Sequence, residues 1–121
     1  MAGSVLFLEY PKCSTCQQAK RWLDEHGVAY AARHIVEDNP TADELRQWHE
    51  LSGLPLRRFF NTSGMAYREM GLSKRLSAMD EAAQCDLLAT DGMLVKRPLL
   101  VTEATATPGF KEDAWSAALG A

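Results

Sequence analysis

The hydrophobic positions in the first third of the chain predict a strand, a helix and a second strand. Residues 5–9 form a short apolar run that ends before Pro11, which is typical of a buried strand. From Ser14 onward, apolar residues recur at three- and four-residue steps, which predicts an amphipathic helix ending at Gly27. The apolar positions of that pattern are Cys16, Ala19 and Leu23. Residues 30–36 predict a second strand, so this segment has the order of a βαβ unit.

The middle of the chain is predicted to be helical. Thr41 and Glu44 have the spacing of a capping box, and they open a helix that ends near Gly53. Short helical pieces follow, and then a longer helix over residues 77–90. The predicted core positions of this longer helix are Ala78, Ala82, Leu87 and Leu88. We therefore expect a helical insertion over approximately residues 41–90.

The last third of the chain returns to strands. Residues 93–95 and 99–102 predict two strands separated by the segment from Lys96 to Pro98, and Pro108 breaks the chain before a final helix. The order is strand, helix, strand, several helices, two strands and helix. We expect an α/β fold with a mixed sheet, formed as a single domain by residues 1–121.

Composition and charge narrow the possible functions. Of the 121 residues, 46% are hydrophobic and 24% are charged, which is ordinary for a soluble globular domain. A net charge of −3 argues against direct nucleic-acid binding, because phosphate contacts need concentrated Lys and Arg. No apolar run approaches the roughly 20 residues that span a membrane. Three cysteines are too few for a secreted disulfide scaffold, so we expect a cytoplasmic protein without a membrane partner.

Cys13 and Cys16 form a C-x-x-C motif at the predicted junction of the first strand and the first helix. In a protein of this kind the motif indicates a thiol redox site. Unpaired N–H groups and the helix dipole stabilise a thiolate at a helix N-terminus, so Cys13 is the candidate nucleophile. Cys16 lies close enough to form a disulfide with it. Lys12 adds a positive charge beside the thiol, and Ser14 and Thr15 add hydroxyl donors.

Other interpretations of these residues remain open at this stage. The two cysteines could be buried or bound to zinc, but zinc needs about two further ligands. The sequence contains no second C-x-x-C and no H-x-x-x-H, so we expect no metal. Cys85 is predicted to be a half-buried helix residue, with a role as a second resolving thiol as the alternative. Arg57 and Arg58 precede two phenylalanines and predict a solvated face over a packed one.

The segment Lys96-Arg97-Pro98 is the second candidate for chemistry. Proline has no N–H to donate to a strand ladder, so Pro98 belongs at an edge or in a turn and could be cis. If this turn faces the cysteines, Pro98 shapes a substrate groove. Arg97 then binds an anion or stabilises the Cys13 thiolate with its planar set of donors. The alternative is a turn proline beside a solvated arginine.

With these residues placed, the chain resembles the arsenate reductase (ArsC-like) family of thioredoxin-fold proteins, which also includes the Spx-type transcriptional regulators. The resemblance covers nearly the whole chain. It rests on residues 10–16, on residues 60–64 leading into residues 67–72, on residues 91–98 and on residues 109–110. The first and third segments are specific when they occur together in this order and separation.

The resemblance implies a thioredoxin-like (glutaredoxin-like) core with a helical insertion. It also implies that Cys13 is the reactive thiol, that Pro98 is a cis proline facing it, and that Arg97 lies in the anion site. Arsenate reductases of this family that depend on glutaredoxin use three arginines around the oxyanion. The first position corresponds here to Asn61, and the third falls near residues 107–110, which contain no arginine. Losing two charge-assisted partners costs about 1.5–3 kcal/mol each, which predicts inefficient arsenate reduction.

Three functions remain in view. The leading prediction is a thiol–disulfide oxidoreductase in which Cys13 attacks the substrate and Cys16 resolves the adduct. Its substrate would be a small oxyanion, or a protein or glutathione disulfide. The reductant would be glutathione or a glutaredoxin or thioredoxin system, with no bound cofactor. The alternatives are a glutathione- and glutaredoxin-dependent arsenate reductase and a Spx-type redox-sensing regulator that binds RNA polymerase.

Overall fold

A computed structural model describes residues 4–121 and begins its first strand at the apolar run near the N-terminus. β1 (Leu6–Glu9) is followed by α1 (Ser14–Glu25) and β2 (Ala31–His34), which confirms the predicted order. The later elements are α2 (Ala42–Ser52), α3 (Met65–Glu69), α4 (Leu72–Arg75), α5 (Glu81–Leu88), β3 (Leu99–Val101), β4 (Ala106–Pro108) and α6 (Glu112–Leu119). Short 3-10 turns at Leu56–Phe59, Leu76–Ala78 and Gly92–Leu94 connect them.

The four strands of this part of the chain form one mixed sheet in the order β2-β1-β3-β4. β1 and β2 are parallel, with Leu6 opposite Ala31, and α1 is the crossover between them. β3 is antiparallel to both of its neighbours, with Leu99 opposite Leu8 of β1 and Pro108 of β4. This is the mixed α/β fold that the sequence predicts, with the thioredoxin-like core that the family resemblance implies, and helices α2 to α5 lie between β2 and β3 along the chain.

The strand predicted over residues 93–95 is wrong. Gly92–Leu94 forms a 3-10 turn instead, and the Asp91 carboxylate caps this turn by accepting a hydrogen bond from the N–H of its second residue. That N–H is therefore withdrawn from any strand ladder. Val95 still pairs with Phe60 in an isolated antiparallel bridge. The bridge ties the segment before Pro98 to the end of the Leu56–Phe59 turn.

Strand β4 is missing from the elements that the sequence predicts, because Pro108 was expected to break the chain. Pro108 is instead the last residue of β4. β4 lies at the edge of the sheet, where a residue without an N–H is tolerated. The turn between β3 and β4 is closed by the hydroxyl of Thr102, which accepts a hydrogen bond from the backbone N–H of Thr105 at 3.1 Å.

The helix predicted over residues 77–90 is shorter in the structure. α5 begins after Asp80, whose carboxylate accepts a hydrogen bond from the backbone N–H of Ala83 at 2.8 Å. The residues before Asp80 form a separate 3-10 turn, so they do not continue the face of α5. Of the predicted core positions, Leu88 is buried and Leu87 is half-buried, whereas Ala78 and Ala82 are exposed.

Side chains along the sheet alternate between two hydrophobic clusters. Phe7 and Leu100 pack in a cluster with residues of α1 and α6, whereas their neighbours Leu8 and Leu99 pack with residues of α2 to α5. Helices therefore cover both faces of the sheet. Because β1 is central and fully packed, it fixes the position of the loop that leads from its carboxyl end into α1. That loop and the start of α1 carry the C-x-x-C motif.

Candidate functional site

Cys13 lies at the point where the loop after β1 becomes α1. Its backbone N–H donates to the carbonyl of Tyr10 at 2.9 Å, and its carbonyl accepts a helical hydrogen bond from Gln17 at 3.1 Å. Cys13 is therefore the N-cap residue of α1, with extended backbone angles. Its side chain is half-buried. The position leaves the thiol beside the N–H groups of the first helical turn, which have no partner within the helix.

The pKa of Cys13 is lowered from its ordinary value. Partial burial raises this pKa, but other interactions outweigh burial. They are hydrogen bonds from the backbone N–H and the thiol of Cys16 and from the backbone N–H of Thr15, together with the charge of Arg97. All of them stabilise the thiolate rather than the thiol. The lowered pKa favours the thiolate of Cys13, which is the nucleophilic form of a thiol.

Cys16 has the opposite character. Its side chain is 0% exposed, and its sulfur accepts a hydrogen bond from the backbone N–H of Tyr10 at 3.5 Å. Burial is the main reason that its pKa rises to about 12, and the neighbouring Cys13 adds to the rise. The N-terminus of α1 therefore holds two thiols whose pKa values are shifted in opposite directions. The two sulfurs interact directly, and neither is part of a disulfide in this structure.

Arg97 is placed beside this pair by the chain leading into β3. The Arg97–Pro98 peptide bond is cis, as the family resemblance implies, and Pro98 is buried. The guanidinium lies 5.2 Å from the ring centre of Tyr10, in a cation–π arrangement, and its Nη1 donates to the carbonyl of Met93 at 3.4 Å. Its Nε is buried and, among residues 4–121, has no hydrogen-bond partner. The guanidinium therefore has a hydrogen-bond donor that the described residues leave unused.

A pocket of about 250 Å³ opens next to Arg97. It is lined by Thr15, Arg58, Lys96, Arg97, Pro108, Gly109, Phe110 and Lys111. Four of these residues are basic and none is acidic. Outside the pocket, three of the nine described Lys and Arg side chains form ion pairs, for example Arg33 with Glu44 at 2.7 Å. The ion pairs in the described part of the chain include none of the four cations of the pocket.

The prediction that Arg57 and Arg58 form a solvated face over a packed one is confirmed, because both arginines are exposed and Phe59 and Phe60 are buried. Arg58 is exposed, but it also lines the basic pocket, whereas Arg57 does not. The cause is the pairing of two distant segments. Phe60 bridges Val95, and the backbone N–H of Lys96 donates to the carbonyl of Phe59 at 2.8 Å. This pairing carries the turn with Arg58 alongside Lys96.

The remaining predicted site residues are Lys12, Ser14 and Asn61. Lys12 and Ser14 are exposed at the start of α1, next to Cys13. Asn61 is half-buried in its own loop, where its N–H donates to Leu94 at 2.7 Å and its side-chain oxygen accepts a hydrogen bond from Ser63 at 3.3 Å. The hydrogen bonds found within residues 4–121 do not connect Asn61 to the cysteines.

The third cysteine lies in a different environment. Cys85 is 5% exposed in α5 and borders a separate pocket of about 330 Å³ between α2 and α5. Burial is the main cause of its raised pKa, and the carboxylates of Glu81 and Asp86 add to the effect. The prediction that Cys85 is half-buried underestimates its burial. In residues 4–121, no cluster of three or more His, Cys, Asp and Glu side chains is placed to hold a metal ion.

This arrangement is that of a thioredoxin-fold protein with a paired-cysteine redox centre. The sequence pattern of the ArsC family matches residues 8–118, so the chain belongs to the ArsC family. Within the described residues, no helix has the length and apolar character needed to cross a membrane.

Known proteins resemble this chain over nearly its full length. It is 53% identical over 110 residues to the Bacillus subtilis protein YusI, covering 91% of this chain and 93% of that one. A putative ArsC family related protein from Bacteroides fragilis superposes with a TM-score of 0.93 at 55% identity, covering 97% of this chain and 98% of that one. A possible arsenate reductase from Streptococcus mutans superposes with a TM-score of 0.87 at 44% identity, covering 94% and 98%.

More distant relatives carry the name of a regulator. The global transcriptional regulator Spx of Staphylococcus saprophyticus is 25% identical over 103 residues, covering 85% of this chain and 77% of the regulator. Similarity to proteins of both kinds supports a role related to thiol redox chemistry. It leaves the mechanism and the partner to be argued from the site itself.

Proposed function

We propose that this protein is a thiol–disulfide oxidoreductase in which Cys13 is the nucleophile and Cys16 is the resolving thiol. The observation that carries the proposal is the opposite shift of two pKa values within one helical turn. Cys13 is stabilised as a thiolate, whereas Cys16 is buried and held as a thiol. In a pair of this kind the thiol with the lower pKa attacks the substrate, and the other thiol then resolves the mixed disulfide.

The proposed reaction has two exchange steps. The Cys13 thiolate attacks one sulfur of a disulfide, forming a mixed disulfide and releasing the first substrate thiolate. Cys16 then attacks the Cys13 sulfur, and its proton passes to the second substrate sulfur as that sulfur leaves. A Cys13–Cys16 disulfide forms and the second substrate thiol leaves. The substrate gains two electrons and the protein loses two, which glutathione or a glutaredoxin or thioredoxin system would return.

Other residues have supporting roles in this proposal. Arg97 stabilises the Cys13 thiolate by charge, and Thr15 does so through its backbone N–H. Lys12, which is exposed next to Cys13 in the sequence, is proposed as a further positive charge near the thiol. Pro98 forms one side of the substrate groove, while Ser14 and Asn61 remain candidate contacts to the anionic part of a substrate. The role of Arg97 is supported by its unpartnered Nε and by its electrostatic effect on Cys13.

The test uses the trapped intermediate. Reduced protein is mixed with glutathione disulfide, quenched with an alkylating agent, digested and analysed by mass spectrometry. The unaltered protein should yield one peptide with an internal Cys13–Cys16 disulfide, and the Cys16→Ser variant should accumulate glutathione on Cys13. Cys85→Ser is the matched control and should behave like the unaltered protein. A stable glutathione adduct on Cys13 of the unaltered protein would contradict the resolving role of Cys16.

Arsenate reduction is a second candidate, favoured by the basic pocket beside Cys13. Its four cations supply positive charge that the sequence comparison of arginine positions does not reveal. The test is arsenate-dependent turnover in the presence of glutathione and glutaredoxin. Absence of turnover, with disulfide reduction intact, removes this candidate and leaves the leading proposal standing.

A redox-sensing regulator is the third candidate, supported by the relatives named Spx. In this case the Cys13–Cys16 pair would switch binding to RNA polymerase. A pull-down with purified polymerase, in both redox states of the pair, tests it. Binding in neither state excludes this role.

A further inference from the structure

The basic pocket has more positive charge and more room than a single tetrahedral oxyanion requires. Its volume is about 250 Å³, and its cations come from three separate segments of the chain. Lys96 and Arg97 precede β3, Arg58 lies in the turn before Phe60, and Lys111 precedes α6. An oxyanion held at Arg97 and Cys13 would occupy only part of this space.

The four cations remain unneutralised in a chain that is acidic overall. The net charge is −3, yet within residues 4–121 no carboxylate lies within ion-pair distance of any of them. Like charges gathered in this way repel one another. The repulsion is relieved by an anionic ligand, and most effectively by a ligand that carries more than one negative charge.

The location of the pocket indicates which part of a substrate would enter it. Thr15, which lines the pocket, donates its backbone N–H to Cys13 two residues earlier. Arg97 lies in the pocket and also acts electrostatically on the Cys13 sulfur. The pocket therefore lies next to Cys13 and shares Thr15 and Arg97 with its surroundings, although Cys13 itself is not one of the lining residues. A disulfide whose sulfur reaches Cys13 could place its charged groups in this pocket.

We propose that Arg58 and Lys111 form a specificity subsite for the anionic groups of a low-molecular-weight disulfide. The inference rests on the proposed oxidoreductase function and assigns its substrate class: a disulfide whose thiol halves bear carboxylate or phosphate groups. The exchange steps are those given above. Arg58 and Lys111 bind the charged part of the substrate and orient its disulfide toward Cys13, and they do not touch the reacting sulfurs.

The test varies the charge of the substrate while keeping its chemistry constant. Reduced protein is mixed separately with glutathione disulfide (carboxylates), coenzyme A disulfide (phosphates), neutral hydroxyethyl disulfide and cationic cystamine. The rate of Cys13–Cys16 disulfide formation is followed by acid quench, alkylation and intact mass. We expect both anionic disulfides to react faster than cystamine, and the ratio between the two anionic rates identifies the preferred anion.

The Arg58→Gln/Lys111→Gln double variant gives the sharper result. It should lower the ratio of the preferred anionic rate to the hydroxyethyl disulfide rate by about a hundredfold, as expected for losing two charge-assisted contacts worth about tenfold each. The Arg58→Glu/Lys111→Glu variant should shift the preference toward cystamine. Arg57→Gln is the control, because its arginine is adjacent in sequence but lies outside the pocket.

Two kinds of failure are distinguishable. If the double variant leaves the ratio unchanged, or if the unaltered protein does not distinguish the disulfides by charge, the subsite is overturned and the oxidoreductase proposal survives. If none of the four disulfides oxidises the Cys13–Cys16 pair, the oxidoreductase proposal fails and the subsite fails with it.

Discussion

Two regions of this protein place a cysteine beside a pocket, and they shift the pKa of its thiol in opposite directions. Cys13 lies at the N-terminus of α1, next to unpaired cations. Cys85 lies inside α5, where burial comes first and the carboxylates of Glu81 and Asp86 add to it. The pKa of Cys13 is lowered and the pKa of Cys85 is raised.

The position of each cysteine in its helix therefore determines how reactive its thiol is. A helix N-cap presents N–H groups to the sulfur, whereas a helix interior has already used them in its own hydrogen bonds. Burial opposes the thiolate at both positions. It is overcome only at Cys13, where the first turn of α1 and Arg97 act together.

Replacing each cysteine in turn should separate the two regions most clearly. Cys13→Ser should abolish disulfide reduction, because a serine hydroxyl is not ionised at neutral pH and does not exchange with disulfides. Cys85→Ser should leave the rate unchanged. Both rates are measured with hydroxyethyl disulfide. Substantial activity in Cys13→Ser would show that another residue is the nucleophile. It would contradict the difference in reactivity between Cys13 and Cys85.

Stability should show the reverse pattern. Leu88, 0% exposed in α5, packs in the cluster on the Cys85 side of the sheet, so Leu88→Ala should lower the free energy of unfolding by about 2–5 kcal/mol. Ser14→Ala, at an exposed position beside Cys13, should change it by less than about 0.5 kcal/mol. Urea unfolding measures both. A destabilisation by Ser14→Ala as large as that by Leu88→Ala would contradict the division between a reactive and a structural region.

The thiols should also make stability depend on pH in opposite directions. Cys16 and Cys85 have raised pKa values in the folded protein, so above the ordinary thiol pKa of 9.0 the unfolded chain has lost protons that the folded chain keeps. Stability should therefore fall as pH rises from about 9 toward about 12, by up to about 1.4 kcal/mol per pH unit for Cys16. Cys13, with its lowered pKa, contributes stability that is fully present above 9.0 and is lost as pH falls through its folded pKa.

Cys16→Ala isolates the alkaline effect. Urea unfolding between pH 8 and pH 10.5 should give a shallower decline for this variant than for the unaltered protein. An equally steep decline in both proteins would show that Cys16 ionises normally in the folded state.

The smallest expected effect comes from Arg97. Arg97→Gln removes one of the causes that lower the pKa of Cys13, so alkylation of Cys13 at neutral pH should slow severalfold. Arg46→Gln is the matched control, because its charge acts on Cys85 instead. An unchanged pH profile for Cys13 in Arg97→Gln would leave the helix N-terminus as the source of the effect without help from Arg97.

Local patterns predicted the parts of the site that lie close together in the sequence. The apolar run before Pro11 and the helical spacing after Ser14 place Cys13 at the start of α1, because strand and helix signals meet there. The cis bond at Pro98 came from the family resemblance. The strand predicted over residues 93–95 is wrong because so short an apolar run does not distinguish a strand from a capped turn.

The basic pocket could not be predicted in the same way. Its cations come from residues 58, 96–97 and 111, which no periodicity connects. They meet because Phe60 bridges Val95 and because β4 returns the chain beside β3. β4 itself ends in Pro108, a residue that signals a break in most sequence contexts. Long-range strand pairing therefore decides which charges face Cys13.

The most direct test of the central claim is the pH dependence of alkylation at each of the three cysteines. Reduced protein is treated briefly with iodoacetamide across a range of pH values, and the label on each cysteine is located and quantified by fragmentation in a mass spectrometer, because Cys13 and Cys16 lie on one peptide. Cys13 should be labelled with a midpoint below the ordinary thiol value of 9.0, while Cys16 and Cys85 should resist labelling at that pH. A Cys13 midpoint at or above 9.0, or faster labelling of Cys85 than of Cys13, would contradict the account.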